Sequence, residues 1–360
     1  MRPAYASLDA AALRHNLAEA RALTGARIMA IVKANGYGHG LVWVAKTLAE
    51  ADAFGVASLE EGLELRAAGI RQEICLLEGF FDAAEMPVIL RERLTPVVHD
   101  HYQVEVLKGM RGEQRCDVWI KVDTGMHRLG FERAEVPAVV ADLAALPCIA
   151  RLGLLSHLAC AEEADTTPSR HQIERFAKLA FPGLRRSLAN SAGIMRWPAT
   201  HADWVRPGLM LYGASPLAPD TSMPTRLKPV MTLRSRLISV RHRREGDAIG
   251  YGGVYRCPRD MPVGVVGVGY GDGYPREFRT AVSVLVRGQR APVIGRVSMD
   301  MLTVDLRAVA EARVGDEVIL WGQGLPVEEV AHAAGTIPYT LLCGLTQRLP
   351  RRECLSTTPA

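Results

Sequence analysis

The 360-residue sequence lacks a long uncharged apolar run and has little excess of charge of either sign. Its most apolar region, Leu143 to Ala161, is interrupted by Arg151 and His157, so no stretch of membrane-spanning length is free of charge. The formal net charge is only +4 at pH 7, and the first residues, MRPAYASLDAAALRHN, lack the apolar core of a secretory signal. These absences predict a protein with no membrane and no nucleic acid among its partners.

Cysteine pairs at the spacing of metal or redox sites are also absent. The seven cysteines are scattered, their number is odd, and no CxxC motif occurs. This pattern argues against a disulfide framework and against a zinc site, so we expect no bound metal. Reduced thiols of this kind are typical of a cytoplasmic protein.

The N-terminal part of the chain has the pattern of successive βα units. From Arg27 onward, apolar runs alternate with amphipathic segments, and eight strands are predicted: Ile28 to Lys33, Ala53 to Ser58, Glu73 to Gly79, Thr95 to Asp100, Cys116 to Val122, Cys148 to Leu158, Ser187 to Asn190 and Trp204 to Leu211. This count predicts an α/β fold, a TIM-like (β/α)8 barrel within residues 1–225. The alternative is a doubly wound open sheet, which usually has a GxGxxG loop where this sequence reads ANGYGHG.

A change of pattern after Pro229 predicts a second domain. Short strand-like runs are separated there by glycine turns, and they are Thr232 to Val240, Val263 to Gly269, Val282 to Val286, Val293 to Val297, Leu302 to Leu306 and Glu317 to Trp321. We expect residues 226–360 to form a C-terminal all-β domain. Whether the extreme N-terminus packs with this domain is left open.

Lys33 is the best candidate for a reactive group. It follows the apolar run from Ile28 to Val32, which is typical of a strand covered on both faces. Burial lowers the pKa of an ammonium, and the neutral amine can form a Schiff base with an aldehyde cofactor. The alternative is a lysine that extends to solvent before an ordinary glycine-rich loop, and the segment alone favours neither interpretation.

Other polar side chains are predicted at the carboxyl ends of the barrel strands, where barrel enzymes carry their chemistry. They are Lys121, Arg128, His157, Asn190, Ser191 and Arg206. The loops after the last two strands commonly bind phosphate through N–H groups and a helix N-terminus. Taken singly, Ser191 is better explained as a helix N-cap and His157 almost equally well as a core histidine, so the prediction depends on the whole set.

Several segments, in this order, resemble the alanine racemase family: VKANGYGHG, KVDTGMHRLG, SHLACAE, NSAG, VRPGLMLYG, IGYGGVY, VGYGDGYPR and GRVSMDM. The resemblance is collinear over almost the whole chain. It implies an isomerase that interconverts L-alanine and D-alanine with pyridoxal phosphate as cofactor. It also implies a barrel followed by a β domain, and a homodimer whose active sites are shared between subunits.

The resemblance implies two acid–base residues. Lys33 would bind the cofactor and act on one face of the substrate α-carbon, while Tyr251 from the partner subunit would act on the other face. Racemisation needs proton removal on one face and proton return on the opposite face, which two opposed groups achieve. Taken alone, Tyr251 is better explained as a tyrosine in a glycine-rich β turn.

The resemblance also implies a set of cofactor contacts. Arg206 would meet the pyridine nitrogen, with His157 supporting it. A guanidinium does not readily give up its proton, so the ring would be a weaker electron sink and racemisation would be favoured over transamination or decarboxylation. The phosphate site would be formed by hydroxyl and backbone donors of Tyr37, Ser191, Gly208 and Leu209, with Asn190 beside them.

Substrate contacts are implied in the same way. Arg128 would hold the substrate carboxylate, and the backbone of Met299 would meet it across the interface. Lys121 matches a position that is often carbamylated, and a carbamate would place an anion next to Arg128. Tyr270 and Asp300 resemble entrance and interface residues, with packing inside the β domain as the alternative for both.

Gln347 is a departure from the family pattern. In CGLTQRLPR it stands where some members have a tyrosine near the phosphate and the entry channel.

Three other functions remain open at this stage. A non-catalytic barrel protein that binds pyridoxal phosphate would lack the second domain. An amino acid decarboxylase would be expected to have an acidic residue in place of Arg206. A racemase of broader specificity is compatible with all of these motifs.

Overall fold

The computed structural model describes residues 2–217 and 226–354. The chain begins with strand β1 (Tyr5–Leu8) and helix α1 (Ala10–Ala22). Eight parallel strands then close into a barrel, which confirms the predicted (β/α)8 fold. The barrel strands are β2 (Arg27–Ile31), β3 (Ala53–Val56), β4 (Glu73–Leu76), β5 (Thr95–Val98), β6 (Cys116–Lys121), β7 (Ile149–Leu155), β8 (Arg185–Ser187) and β9 (Trp204–Val205).

Helices connect the barrel strands. The first, α2 (Lys33–Tyr37), is a single turn whose backbone angles at Ala34, Asn35 and Gly36 are not those of an α-helix. The others are α3 (Leu41–Thr47), α4 (Leu59–Ala67), α5 (Met86–Arg91), α6 (His101–Gly109), α7 (Val136–Ala144), α8 (Thr167–Ala177) and α9 (Ser191–Arg196). Side-chain oxygens of Asp9 and Asp100 accept backbone N–H groups at the starts of α1 and α6, which stabilises these helix ends. None of the helices in the described residues is long and apolar enough to cross a membrane.

The first and last barrel strands are shorter than predicted. β2 ends at Ile31 because the chain turns into α2 at Lys33, and β9 ends at Val205. Pro207 has no N–H group that could continue the β9 ladder. Lys33 and Arg206 therefore lie just beyond their strands, on the loops at the carboxyl end of the barrel.

The predicted β domain is confirmed, and two short helices follow its last long strand. Its elements are β10 (Met231–Arg243), β11 (Ala248–Ile249), β12 (Tyr255–Arg256), β13 (Met261–Val266), β14 (Ser283–Val286), β15 (Gln289–Ile294), β16 (Leu302–Asp305), β17 (Glu317–Trp321), α10 (Val327–Ala334), α11 (Pro338–Cys343) and β18 (Arg351–Glu353). The sheet order is β13–β16–β15–β14–β17–β10–β1–β18, and β10 pairs with β13 as well. Six strands therefore follow one another around a closed path.

Both described ends of the chain lie in this second sheet. β1 pairs antiparallel with β10, with Tyr5 opposite Arg234 and Leu8 opposite Met231, and it pairs in parallel with β18. The first strand of the chain thus belongs to the sheet of the β domain. The predicted division between residues 225 and 226 falls at the edge of residues 218–225, which lie outside the described residues.

Asn16 of α1 connects the end of the barrel to the segment that enters the β domain. Its side chain is fully buried, and its amide nitrogen donates to the carbonyl oxygens of Leu211 and Lys228 at 2.9 and 2.8 Å. Its oxygen accepts the N–H of Lys228 at 2.8 Å. One side chain therefore satisfies three backbone groups that would otherwise lack partners.

We expect Asn16→Leu, a change to an apolar side chain of similar size, to leave these three groups unpaired. A buried polar group without a partner costs about 1–3 kcal/mol, so the free energy of unfolding should fall by about 3 kcal/mol. Urea unfolding of the purified variant measures the change. The control is Ala18→Leu at an exposed position of the same helix, and equal stability of the two variants would contradict the prediction.

Candidate active site

The structure gathers the predicted barrel residues at one end of the barrel. They are Lys33 after β2, Lys121 at the end of β6, Arg128 in the loop that follows, His157 after β7, Asn190 and Ser191 after β8, and Arg206 after β9. Because the barrel strands are parallel, all of these positions lie at the carboxyl ends of strands.

This end of the barrel is strongly positive. Lys121 is buried, and burial is the main cause that lowers its pKa to about 8. The charges of Arg128, Arg206 and Lys33 lower this pKa further, in that order. The carboxylate of Glu78 opposes the shift. A lysine amine in this state is partly neutral near physiological pH and is able to react as a nucleophile.

Arg206 is buried and has no carboxylate partner among the described residues. Its guanidinium donates to the hydroxyl of Ser187 at 2.6 Å and to the carbonyl oxygens of Ser156 and Leu188. Burial lowers the pKa of Arg206 to about 10, so the side chain remains a cation at neutral pH.

The other three cations, Lys33, Lys121 and Arg128, likewise pair with no carboxylate of the residues that the structure describes. Within residues 2–217 and 226–354, no ion pair forms on Lys33, Lys121 or Arg128, and the amine of Lys33 makes no hydrogen bond. A group of cations that form no ion pairs attracts an anionic ligand.

His157 lies against Arg206, with its Nδ1 atom 3.4 Å from the guanidinium Nη2. Burial, followed by the charge of Arg206, lowers the pKa of His157 well below its usual range, so the ring is neutral and can accept a hydrogen bond. Gln172 of α8 donates to the carbonyl oxygen of His157 at 2.9 Å and accepts the N–H of Ala159 at 2.9 Å. Helix α8 therefore fixes the loop that carries His157.

Ser191 and Gly208 form a small cradle beside Tyr37. The hydroxyl oxygen of Ser191 accepts the N–H of Gly208 at 2.9 Å and that of Met210 at 3.3 Å. A Cβ atom at position 208 would lie 2.6 Å from the hydroxyl oxygen of Tyr37, so any side chain there would displace that hydroxyl. Leu209 begins a 3₁₀ turn directly after the cradle. The loops after β2, β8 and β9 thus meet at one point.

The N-cap of α9 is Asn190, not Ser191. Its Oδ1 atom accepts the N–H of Gly193 at 2.9 Å, and its amide nitrogen lies 3.5 Å from the carbonyl oxygen of Leu158. The interpretation of Ser191 as a helix cap is therefore wrong, and its hydroxyl holds the loop after β9 instead.

The segment after Lys33 is a left-handed turn. The φ angle is 52° at Ala34, 55° at Asn35, 61° at Gly36 and 50° at Tyr37. Each residue with a side chain is disfavoured in this conformation by roughly 1–2 kcal/mol. The surrounding structure must therefore hold the turn, as is common at functional sites.

Aromatic rings fix Tyr37 at the end of this turn. Its ring stacks on Tyr212 with centroids 4.6 Å apart, and the Tyr212 hydroxyl donates to the carbonyl oxygen of Ile31 at 3.0 Å. The ring of Tyr339 from α11 lies 5.6 Å from that of Tyr37. Burial raises the pKa of Tyr37 above its usual range and that of Tyr339 to about 12, so both hydroxyls stay protonated and can donate.

Tyr339 is not among the residues predicted from sequence. Gln347, which stands where some members of the family named above have a tyrosine, is exposed. Helix α11 brings the ring of Tyr339 to that of Tyr37. The contact is close, because a Cβ atom at Gly38 would lie 2.1 Å from the carbonyl oxygen of Leu342. The segment IPYTLLC has no local pattern that marks its tyrosine, since the partner ring comes from the other end of the chain.

The predicted residues of the β domain lie on its surface. Tyr251 is 66% exposed, Met299 52% and Tyr270 38%. The segments that carry Tyr270 and Met299 are neighbours, since the N–H of Tyr270 donates to the carbonyl oxygen of Ser298 at 3.1 Å. In the part of the chain that the structure describes, no hydrogen bond, ion pair or ring contact joins these side chains to Lys33.

Asp300 belongs to an ion-pair cluster. Arg2 donates to Asp300 at 2.9 Å and to the buried Asp272 at 2.7 Å, and Arg348 donates to Asp300 at 2.5 Å. The cluster fastens the first residues of the chain to the β domain.

Comparison with known proteins covers both domains. The family model described as "Alanine racemase, N-terminal domain" matches residues 8–216, and "Alanine racemase, C-terminal domain" matches residues 230–353. A curated alanine racemase from Nitrosococcus oceani is 53% identical over 348 residues, which cover 96% of this chain and 98% of the relative.

Solved structures give the same result. Biosynthetic alanine racemase from Pseudomonas aeruginosa is 46% identical with a TM-score of 0.94, over 98% of this chain and 100% of that one. Alanine racemase from Acinetobacter baumannii is 38% identical with a TM-score of 0.92, over the same shares. Sequence identity and similarity of fold extend over the whole length of both relatives. This chain therefore belongs to the alanine racemase family.

Proposed function

We propose that this enzyme interconverts L-alanine and D-alanine with pyridoxal phosphate bound at the carboxyl end of the barrel. The observation that carries the proposal is the group of cations without carboxylate partners among the described residues, next to the amine of Lys33. Such a site favours ligands with negative groups, and the phosphate of the cofactor and the carboxylate of an amino acid meet this requirement. Alanine is the substrate for which the similar proteins are named.

The residues present fit this cofactor. Pyridoxal phosphate, when bound, supplies an aldehyde for amines and a ring that withdraws electrons from the substrate α-carbon. The amine of Lys33 would bond to the aldehyde carbon, and the aldehyde oxygen would leave as water. The donors for the phosphate would be the hydroxyls of Tyr37 and Ser191 and the N–H groups of Gly208 and Leu209, with Asn190 fixing α9 beside them. The cradle at Gly208 supports this, because a side chain there would intrude on Tyr37.

Arg206 would limit how strongly the ring withdraws electrons. With a pKa of about 10 and neutral acceptors around it, its guanidinium would donate a hydrogen bond to the ring nitrogen and keep its own proton. Weaker withdrawal favours quick return of the proton to the α-carbon over decarboxylation or transamination. His157, neutral and 3.4 Å from the guanidinium, would hold Arg206 in this orientation.

Two residues would move the proton. Lys33 would act on one face of the α-carbon and Tyr251 of the partner subunit on the other. Tyr251, Met299 and Tyr270 are all exposed on their own chain, which supports a surface covered by a second copy in a homodimer. The positive end of the facing barrel would favour the tyrosinate that such a base requires.

Arg128 would hold the substrate carboxylate. It is exposed and forms no ion pair within the described residues, so its guanidinium is not already neutralised. The backbone of Met299 of the partner subunit would complete this contact. Tyr270 would line the entrance, and Asp300 would hold the interface loop through the ion pairs that it forms.

Lys121 would carry a carbamate. Its pKa of about 8 makes the neutral amine available to carbon dioxide, and the reaction releases one proton. The product replaces a cation by an anion beside Arg128, which relieves the repulsion between the two side chains.

Residues 1–225 would form the barrel unit, except that β1 packs in the sheet of the β domain, and residues 226–360 would form the β unit. The two family matches, which end at residue 216 and begin at residue 230, support a division in this region. All seven cysteines are free, which supports a reducing compartment such as the cytoplasm.

Cofactor-loaded protein is expected to convert either alanine enantiomer into an equal mixture of both, because the enantiomers have the same free energy. Chiral chromatography of L-alanine and D-alanine incubations measures the conversion, and serine and lysine incubations define the substrate range. Borohydride reduction followed by peptide mapping should place the cofactor on Lys33. No conversion of alanine, release of carbon dioxide, or a label on another residue would contradict the proposal.

If each active site takes Lys33 from one subunit and Tyr251 from the other, two inactive variants should restore activity when they form a mixed dimer. A dimer of one Lys33→Ala chain and one Tyr251→Phe chain has one site with both residues intact and one site with neither. Co-expressed with two different tags and purified through both, this dimer is expected to show about half of the activity of the unaltered dimer. If the mixed dimer is no more active than a dimer of either single variant, Tyr251 serves the site that contains Lys33 of its own chain, and the sites are not shared in this way.

Carbamylation of Lys121 predicts a carbonyl NMR signal from protein incubated with ¹³C-bicarbonate. Because the pKa of Lys121 is lowered, the neutral amine becomes more abundant as the pH rises through about 8, and the signal should grow with it. Lys121→Arg should abolish the signal, while Lys108→Arg at a surface position should preserve it. If the unaltered protein gives no such signal, Lys121 is not carbamylated and the prediction is wrong.

A further inference from the structure

The left-handed turn at residues 34–37 carries two groups of the proposed site at its ends. Lys33 precedes the turn, and Tyr37 is its last residue. Ala34 and Asn35 both have positive φ angles, which residues with side chains rarely adopt. If the turn relaxed to an ordinary conformation, the amine of Lys33 and the hydroxyl of Tyr37 would both move.

Glu61 of α4 holds the N–H side of this turn. Its Oε1 atom accepts the N–H of Ala34 at 2.7 Å and lies 3.4 Å from that of Asn35. Its Oε2 atom accepts the N–H of Ala57 at 2.8 Å. One carboxylate therefore ties the loop after β2 to the loop after β3. Hydrogen bonds to an ionised acceptor are stronger than those between neutral groups.

His39 holds the carbonyl side of the turn. Its Nδ1 atom lies 2.8 Å from the carbonyl oxygen of Tyr37 and 3.1 Å from that of Gly36, so this nitrogen must carry the hydrogen. The ring is buried and packs against Tyr212 with centroids 4.7 Å apart. Burial lowers the pKa of His39 to about 4, so the side chain is neutral near pH 7.

We propose that Glu61 and His39 are positioning residues that keep the turn left-handed and thereby aim Lys33 and Tyr37 at the cofactor. The inference rests on the proposed roles of Lys33 and Tyr37. Glu61 and His39 act through the backbone of the turn, because their hydrogen bonds go to main-chain groups.

The residue types at both positions follow from these contacts. Glutamine at position 61 would have one oxygen and one amide nitrogen, so an N–H group would face another N–H group at one of the two contacts. Phenylalanine at position 39 would keep the ring packing but could not donate to the carbonyl oxygens of Gly36 and Tyr37.

We expect Glu61→Gln and His39→Phe each to weaken pyridoxal phosphate binding about tenfold, as the loss of one strong hydrogen bond implies. Absorbance titration of the apo-enzyme measures the dissociation constant, and borohydride trapping measures the rate at which Lys33 bonds to the cofactor. Circular dichroism checks that each variant folds. Glu64→Gln is the matched control, since Glu64 is exposed on the same helix.

A second substitution separates conformation from charge. Glycine adopts positive φ angles without strain, and Ala34 is exposed, so Ala34→Gly removes little packing. Added to Glu61→Gln, it should restore cofactor affinity by about threefold, because the turn then needs less support. If Glu61 acts only through its charge, Ala34→Gly will restore nothing, and the inference is wrong.

The outcomes separate this inference from the proposed function. A missing Lys33 label in the unaltered enzyme would defeat the proposed function. A normal label there, together with unchanged affinity in folded Glu61→Gln and His39→Phe, would defeat the inference alone. If Glu61→Gln does not fold, His39→Phe and the variant carrying both Glu61→Gln and Ala34→Gly decide the question by the same titration.

Discussion

Repulsion between positive side chains at one end of the barrel is the constraint on which the rest of the site depends. Closure of the parallel strands brings Lys33, Lys121 and Arg206 to this end, and no carboxylate of the described residues pairs with them. The lowered pKa of Lys121 reflects burial together with this repulsion. Neutral oxygen atoms around Arg206 make its burial tolerable, and an anionic ligand would lower the energy further.

Backbone strain next to Lys33 adds a second unfavourable contribution to the energy of the folded state. The left-handed turn after Lys33 is unfavourable by itself, and side chains from elsewhere hold it. Glu61 comes from the next βα unit, and Tyr212 stacks on Tyr37 from the end of the barrel. The position of the lysine amine is therefore a property of several barrel loops acting together, and it does not belong to the glycine-rich segment alone.

The two domains are tied together by the ends of the chain. β1 adds a strand to the β domain, and Asn16 of α1 then bonds to the end of the barrel and to the segment that follows it. Arg2 joins the same end of the chain to Asp272 and Asp300. These contacts hold the β domain against the barrel, while Tyr251 and Tyr270 remain exposed on its surface.

Periodicity and motif order by themselves determined the barrel, the β domain, the family, and the strand ends where Lys33, Lys121 and Arg206 lie. These features depend on local side-chain patterns, which the sequence displays directly. Only the tertiary structure revealed Tyr339 beside Tyr37, Glu61 beneath the turn and β1 in the second sheet. Each of these contacts joins residues distant in the chain, and the left-handed turn is a backbone conformation that such patterns do not encode. Their positions are set by closure of the barrel and by pairing across the sheet.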